Sequence, residues 1–146
     1  MPDVVDQFCT ATETADIDAL METLAPDAEL HSPISGALVF RGHDDLRVLL
    51  TVVYRGVSGL RWTARLGDGA RRVLLAEAKV GPFRMTEAMV LELAEDGRIR
   101  KLDPHLRPWL ALSFLAVKLG PGLLRHPRLM RRARATQPPS PVRATV

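Results

Sequence analysis

The sequence predicts an α+β fold in which helices come first, a run of antiparallel strands follows, and further helices close the chain. Two observations predict it. Up to Gly56, apolar residues recur at helical spacing in three segments, whereas from Leu60 to Leu93 they alternate with polar ones. The alternating segments are punctuated by Asp68-Gly69, Gly81-Pro82 and Glu95-Asp96-Gly97, turn signals that fold consecutive strands back on one another. Helices segregated from a run of strands are the α+β pattern.

Taken in order, Asp3 to Thr14 reads as a helix with Val4, Val5 and Phe8 on one side. Asp16 caps a second helix through Leu24, which buries Ile17, Leu20, Met21 and Leu24 and is stopped by Ala25-Pro26-Asp27. Ala28 to Ser32 is a short strand ending at Pro33, and Ile34-Ser35-Gly36 turns the chain. His43-Asp44-Asp45 opens a third helix carrying Leu46, Leu49, Leu50, Val53 and Tyr54, with its acidic residues in the favourable first turn. Strands follow over Leu60–Leu66, Arg71–Val80 and Phe83–Leu93, and a closing strand starts at Arg98.

At 146 residues the chain is read as one domain with a sizeable core, and 47% hydrophobic with 25% charged residues is ordinary globular composition. The lone Cys9 permits no internal disulfide, and nothing near it activates a thiolate. The start MPDVVDQFCT lacks a basic stretch followed by an apolar run, so cytoplasmic residence is expected. Charge is distributed unevenly. Residues 1–97 carry 9 Lys/Arg against 16 Asp/Glu, and residues 98–146 carry 11 against one. No helix-turn-helix, zinc-finger or RNA-binding signature turns the basic third into a nucleic-acid site.

The strand from Phe83 holds the leading candidate. Its buried row reads Phe83, Met85, Glu87, Met89, Leu91, Leu93, so one carboxylate lies among apolar neighbours. Such a group is costly unless paired, hydrogen-bonded or protonated. Glu87 is therefore either the partner of an arginine on a neighbouring strand or an acid–base group with a raised pKa. Asp103 and His105 share a strand face if alternation holds through Pro104, which suggests an edge or bulge that turns them toward a pocket mouth. The alternative is a surface aspartate near Arg100 and Arg107. Trp62 stands on an apolar strand face, as core or as pocket wall. Arg41 and His43 flank a helix start and suit capping and surface roles. Four histidines with no HxH or HxxxH spacing argue against a metal site.

The segments DIDALMETLAPDAELHSP, FRGHDDLRVLL and LELAEDGRIRKLDPHLRP resemble the NTF2-like superfamily, especially its SnoaL-like branch, over roughly residues 4–108. The resemblance implies a cone: N-terminal helices packed on a curved, mostly antiparallel sheet around an apolar pocket. It also implies cofactor-free acid–base chemistry or simple binding, since such proteins include isomerases, polyketide cyclases, epoxide hydrolases, dehydratases and non-catalytic binders. Where the ketosteroid isomerase branch has a catalytic aspartate before the proline after the first strand, this chain has Ser32. That branch's oxyanion acid falls near Met89, one pleat from Glu87, and its helical tyrosine has no evident counterpart. The epoxide-hydrolase branch implies an acidic pair, to which Asp103 and Glu77 correspond. The proline-anchored alignment points Leu30 and Ser32 inward, although the family directs a histidine here at the ligand, which makes His31 a further candidate. Tyr54, Met85, Met89 and Trp109 complete the expected pocket.

Residues 109–134 depart from the family. WLALSFLAVKL, nearly all apolar over 11 residues, is too short to span a bilayer, which takes about 20. Gly120-Pro121-Gly122 reads as a break and hinge, and LLRHPRLMRRARA adds five arginines to an amphipathic pattern. The segment suits a lid over the cone, a homodimer contact, or an anionic membrane surface. Residues 135–146, rich in proline, read as a disordered tail. The expected ligand is a hydrophobic small molecule, and the rival to an enzyme is a binding or dimerisation module.

Overall fold

A computed structural model describes residues 3–134; the tail expectation lies outside them. The Asp3 carboxylate accepts from the Val5 amide at 3.4 Å and starts α1 (Val4–Glu13). Asp16 accepts from the Ala19 amide at 3.0 Å and starts α2 (Ile17–Glu22). These contacts satisfy amides that the first turn leaves without intrahelical partners. α2 is shorter than the sequence suggests, because Leu24 to His31 is already strand β1, which runs through Ala25-Pro26-Asp27. Proline ends the helix but is compatible with extended backbone, and the pairing register shifts between Leu24 and Glu29 to accommodate it. The His43 ring nitrogen Nε2 lies 3.0 Å from the Leu24 carbonyl oxygen and 3.1 Å from that of Ala25. His43 thus holds the start of β1. The cap of α3 is Gly42, with no side-chain hydrogen bond.

After β1 come β2 (Val39–Arg41), α3 (His43–Gly56), β3 (Ser58–Leu66), β4 (Arg71–Val80), β5 (Phe83–Leu93) and β6 (Ile99–Arg107). The described strands form one open sheet in the order β2-β1-β6-β5-β4-β3. β1 runs parallel to β6, and every other pair is antiparallel. Helices α1 to α3 cover one face. Phe8, Leu20, Leu46, Leu50, Leu74 and Leu102 are fully buried between them and the sheet.

Register assigns the faces. Glu87 sits opposite Ala76 on β4 and Leu106 on β6, and Met89 sits opposite Leu74 and Pro104. Directly opposed residues share a face. Since Met85, Met89, Leu74 and Ala76 are buried, the odd positions of β5 face the helices.

The last two helices complete the core. α4 (Trp109–Leu124) buries the stripe Ala111, Leu115, Leu119 against Ala78, Val80 and Met85. α5 (Pro127–Arg134) buries Leu129 and Ala133 in the main core, and Arg132 pairs with Asp45 of α3 at 2.5 Å. Among the described residues no helix is long and apolar enough to cross a membrane.

The expected break at Gly120-Pro121-Gly122 is absent, and α4 runs through it. Pro121 lies on the exposed side, where water can satisfy the carbonyl it leaves without a partner. The glycines serve close packing. A Cβ on Gly122 would stand 3.0 Å from Cγ1 of Val52, and one on Gly56 would stand 3.2 Å from Cδ2 of Leu119. The Lys118 ammonium donates to the Gly56 carbonyl at 3.2 Å, which binds the same two helices. Gly122→Val should therefore cost about 2 kcal/mol of stability by overpacking. Adding Val52→Ala should restore most of it in a double-mutant cycle measured by denaturant unfolding. Equal cost in both backgrounds would contradict the close-packing role.

Candidate functional site

Between the helices and the inner sheet face lies a cavity of about 360 Å³, within the usual range for small-molecule sites. β5 contributes Met85, Glu87 and Met89, and β6 contributes Pro104 and Leu106. Leu30 and Ser32 enter from β1 and the residue after it, and Leu50 and Tyr54 from α3. α4 closes the far side with Leu115 and Leu119, and α5 adds Met130. Apart from the methionine thioethers, three lining side chains are polar: Ser32, Tyr54 and Glu87. The Ser32 hydroxyl oxygen accepts from the Ile34 amide at 3.2 Å and the Ser35 amide at 3.4 Å, so it is engaged in its own turn.

Glu87 and Tyr54 differ from Ser32. Among the described residues neither side chain makes a hydrogen bond or an ion pair. Among the described residues no buried polar side-chain atom is sealed off without a partner, and both side chains line the cavity, so their polar atoms face its open space. The arginine partner considered for Glu87 is absent; Arg61 pairs instead with Glu77 at 3.4 Å. Burial in apolar surroundings with nothing to offset it pushes the Glu87 carboxyl up to about 7. Burial also pushes the Tyr54 phenol well above its ordinary value, and the Glu87 charge adds to the effect, with Cys9 contributing less. At neutral pH the cavity therefore holds a half-ionised carboxyl and a fully protonated phenol.

The other expected residues separate from this pair. Asp103 is opposite Val90 and His105 is opposite Ala88, both on the even, outer face of β5. Pro104 occupies a regular position in the register and faces inward, so no bulge rotates its neighbours into the cavity. Asp103 and His105 lie 3.6 Å apart on the outside, on the strand face that also carries Arg107, and Asp103 forms no ion pair with Arg100 or Arg107 among the described residues. Arg100 pairs with Glu92, and Arg107 donates to Thr86. Glu77, opposite Thr86, is on the same outer face. Strand parity therefore leaves Glu87 alone in the cavity and puts Asp103 and Glu77, the acidic pair that the resemblance implies, outside it. His31 likewise faces out, with Nε2 3.3 Å from a Glu29 carboxylate that also accepts from Arg41 at 2.7 Å.

Two aromatic residues also lie elsewhere. Trp62 packs against Phe8 with ring centroids 5.9 Å apart and donates to the Thr12 hydroxyl at 2.8 Å, which makes it core beneath α1. Trp109 is 73% exposed on the outside of α4. The cavity wall from α4 was not legible as such. In an almost uniformly apolar segment, the i, i+4, i+8 spacing of Ala111, Leu115 and Leu119 does not stand out from its neighbours.

Comparisons with known proteins agree with this architecture. The structure superposes on a bacterial protein of cystatin-like fold from Silicibacter pomeroyi with TM-score 0.82 and 20% identity, covering 89% of this chain and 93% of that one. It superposes on a steroid delta-isomerase from Pseudomonas aeruginosa with TM-score 0.77 and 23% identity, covering 86% and 92%. A putative polyketide cyclase from Sinorhizobium meliloti gives TM-score 0.61 at 22% identity, covering 72% and 95%. At these identities the likeness establishes the fold. No curated protein matches the sequence. The family model described as SnoaL-like domain matches residues 5–102. With two thirds of its length under that model and this cone-like sheet around an apolar cavity, the chain belongs to the SnoaL-like domain family.

Proposed function

We propose that the cavity binds an apolar small molecule bearing a carbonyl group and that Glu87 moves a proton on it without a cofactor. One observation carries this reading: the two polar groups left without partners, the Glu87 carboxyl and the Tyr54 hydroxyl, face one apolar cavity. A carboxyl half-ionised at neutral pH can take a proton from the carbon next to the carbonyl and return it to another carbon. A phenol held protonated can donate to the carbonyl oxygen as negative charge develops there. The pair suits double-bond isomerisation, or a cyclisation begun by the same proton removal. Epoxide opening by two carboxylates has less support, because Asp103 and Glu77 are on the other face. Cytoplasmic residence and a homodimeric state belong to the same reading.

A binding module without turnover is the second reading, favoured by Glu87 being the one carboxylate in the described cavity wall. Exchange of hydrogen for deuterium beside the carbonyl of β,γ-unsaturated ketones, followed by NMR in D2O, separates the two. The enzyme reading expects exchange whose rate rises as pH passes 7 and then levels off. It expects Glu87→Gln to lower the rate by about a hundred- to ten-thousand-fold and Tyr54→Phe by about a hundredfold. If the wild type binds these ketones but exchanges them no faster than Glu87→Gln, the binding module is the correct account.

A further inference from the structure

Beyond ligand binding, we infer that α4 and α5 form a docking face for an anionic phospholipid surface. Residues buried in α4 repeat at 111, 115 and 119, and the opposite side carries Leu110, Val117 and Leu124 as well as Trp109. Their exposures are 48%, 76%, 75% and 73%. A soluble domain normally points polar side chains outward from such a helix, and contiguous exposed apolar surface marks a contact site. The 16 residues of α4 give a stripe about 24 Å long. It lies on the surface and cannot span a bilayer.

Charge selects the occupant. From Pro108 to Arg134 the chain has no aspartate or glutamate. Arg125 caps the end of α4, and Arg128 and Arg131 are exposed one turn apart on α5. Arg132 is neutralised locally by Asp45, whereas no ion pair involves Arg125, Arg128 or Arg131 among the described residues. A second copy docked symmetrically on this face would bring two sets of unpaired arginines together, which is repulsive. An anionic membrane surface offers phosphate oxygens to the arginines and an acyl boundary to Trp109, Val117 and Leu124. The cavity lies beside this face. Ile34 and Leu124 both line it and are 49% and 75% exposed, so they form its rim. If the cavity acts as proposed above, which the docking itself does not require, its ligand is a molecule dissolved in the membrane and taken up at that rim.

Co-sedimentation of the full chain with vesicles of phosphatidylcholine, with or without phosphatidylglycerol, tests the docking. Binding is expected to the mixed vesicles and to weaken strongly with salt or without the anionic lipid. Arg128→Gln with Arg131→Gln should weaken it about 25-fold, since each arginine at such a surface contributes about fivefold. Val117→Asp, at an exposed position, should weaken it about tenfold or more without loss of folding. Glu87→Gln should bind vesicles like the wild type, so that failure of docking and failure of the catalytic reading are distinguished. The proposal is overturned if the wild type stays in the supernatant when the mixed vesicles are sedimented. It is also overturned if Val117→Asp binds them unchanged, or if that substitution turns a dimer into a monomer while neither form binds vesicles.

Discussion

The wild-type protein is expected to lose about 3 kcal/mol of stability between pH 4.5 and pH 8, and Glu87→Leu is expected to remove that loss. The carboxyl stands at about 7 in the folded protein against an ordinary 4.5, and each unit corresponds to about 1.4 kcal/mol. The sign follows from proton counting. Between 4.5 and 7 the folded state binds a proton at Glu87 that the unfolded state has released, so stability is full below 4.5 and falls as pH rises through 7. Glu29 works in the opposite sense, because burial raises it but Arg41 and His31 together outweigh burial and lower it; its stabilisation is lost only below 4.5, outside this window. Leucine in place of Glu87 has no proton to lose and suits walls built of Met85, Met89 and Leu106. Denaturant unfolding at pH 5 and pH 8 for both proteins measures the difference. Equal slopes with pH in wild type and variant would mean that Glu87 does not titrate inside the cavity.

Truncation after Arg107 is expected to have the second large effect. It removes α4 and α5 and with them five buried apolar side chains, Ala111, Leu115, Leu119, Leu129 and Ala133. The three leucines alone contribute about 6 kcal/mol at about 2 kcal/mol each, which is comparable with the whole stability of a small domain. The loss also uncovers Val80 and Met85, now sealed by α4, and opens the cavity along one side. The truncated chain should aggregate, or bind an apolar fluorescent dye strongly with no cooperative thermal transition. A truncated protein that unfolds cooperatively near the wild-type temperature would show that the two helices are an accessory and no part of the core.

The sheet was legible because its strands alternate. Arg71–Val80 and Phe83–Leu93 coincide with the observed β4 and β5, and the asymmetry between Met85, Glu87, Met89 and their even neighbours marks the buried face. The same parity rule identified Glu87. It misplaced Asp103 and His105, because Pro104 invited a bulge that the register does not contain. The α2–β1 junction was blurred because Pro26 stops a helix and is also tolerated in extended chain; the deciding interaction, His43 on the Leu24 and Ala25 carbonyls, spans 18 to 19 residues. The continuity of α4 was hidden for a similar reason. Glycine and proline locally favour a break, but Gly56 and Gly122 are needed where α3 and α4 approach closely, and that requirement exists only once both helices are packed. That Tyr54 and Glu87 line one cavity likewise depends on how α3 crosses the sheet, which periodicity does not encode.

The proposed proton transfer requires a carboxyl that is half-protonated at neutral pH inside an apolar cavity. Its direct measurement is the NMR titration of protein labelled with carbon-13 at glutamate carboxyls, with the Glu87 resonance identified by its absence in Glu87→Gln. A midpoint of about 7 is expected for that one carboxyl. A midpoint at the ordinary 4.5 would mean that water or a partner group reaches Glu87, and would contradict an apolar cavity around it.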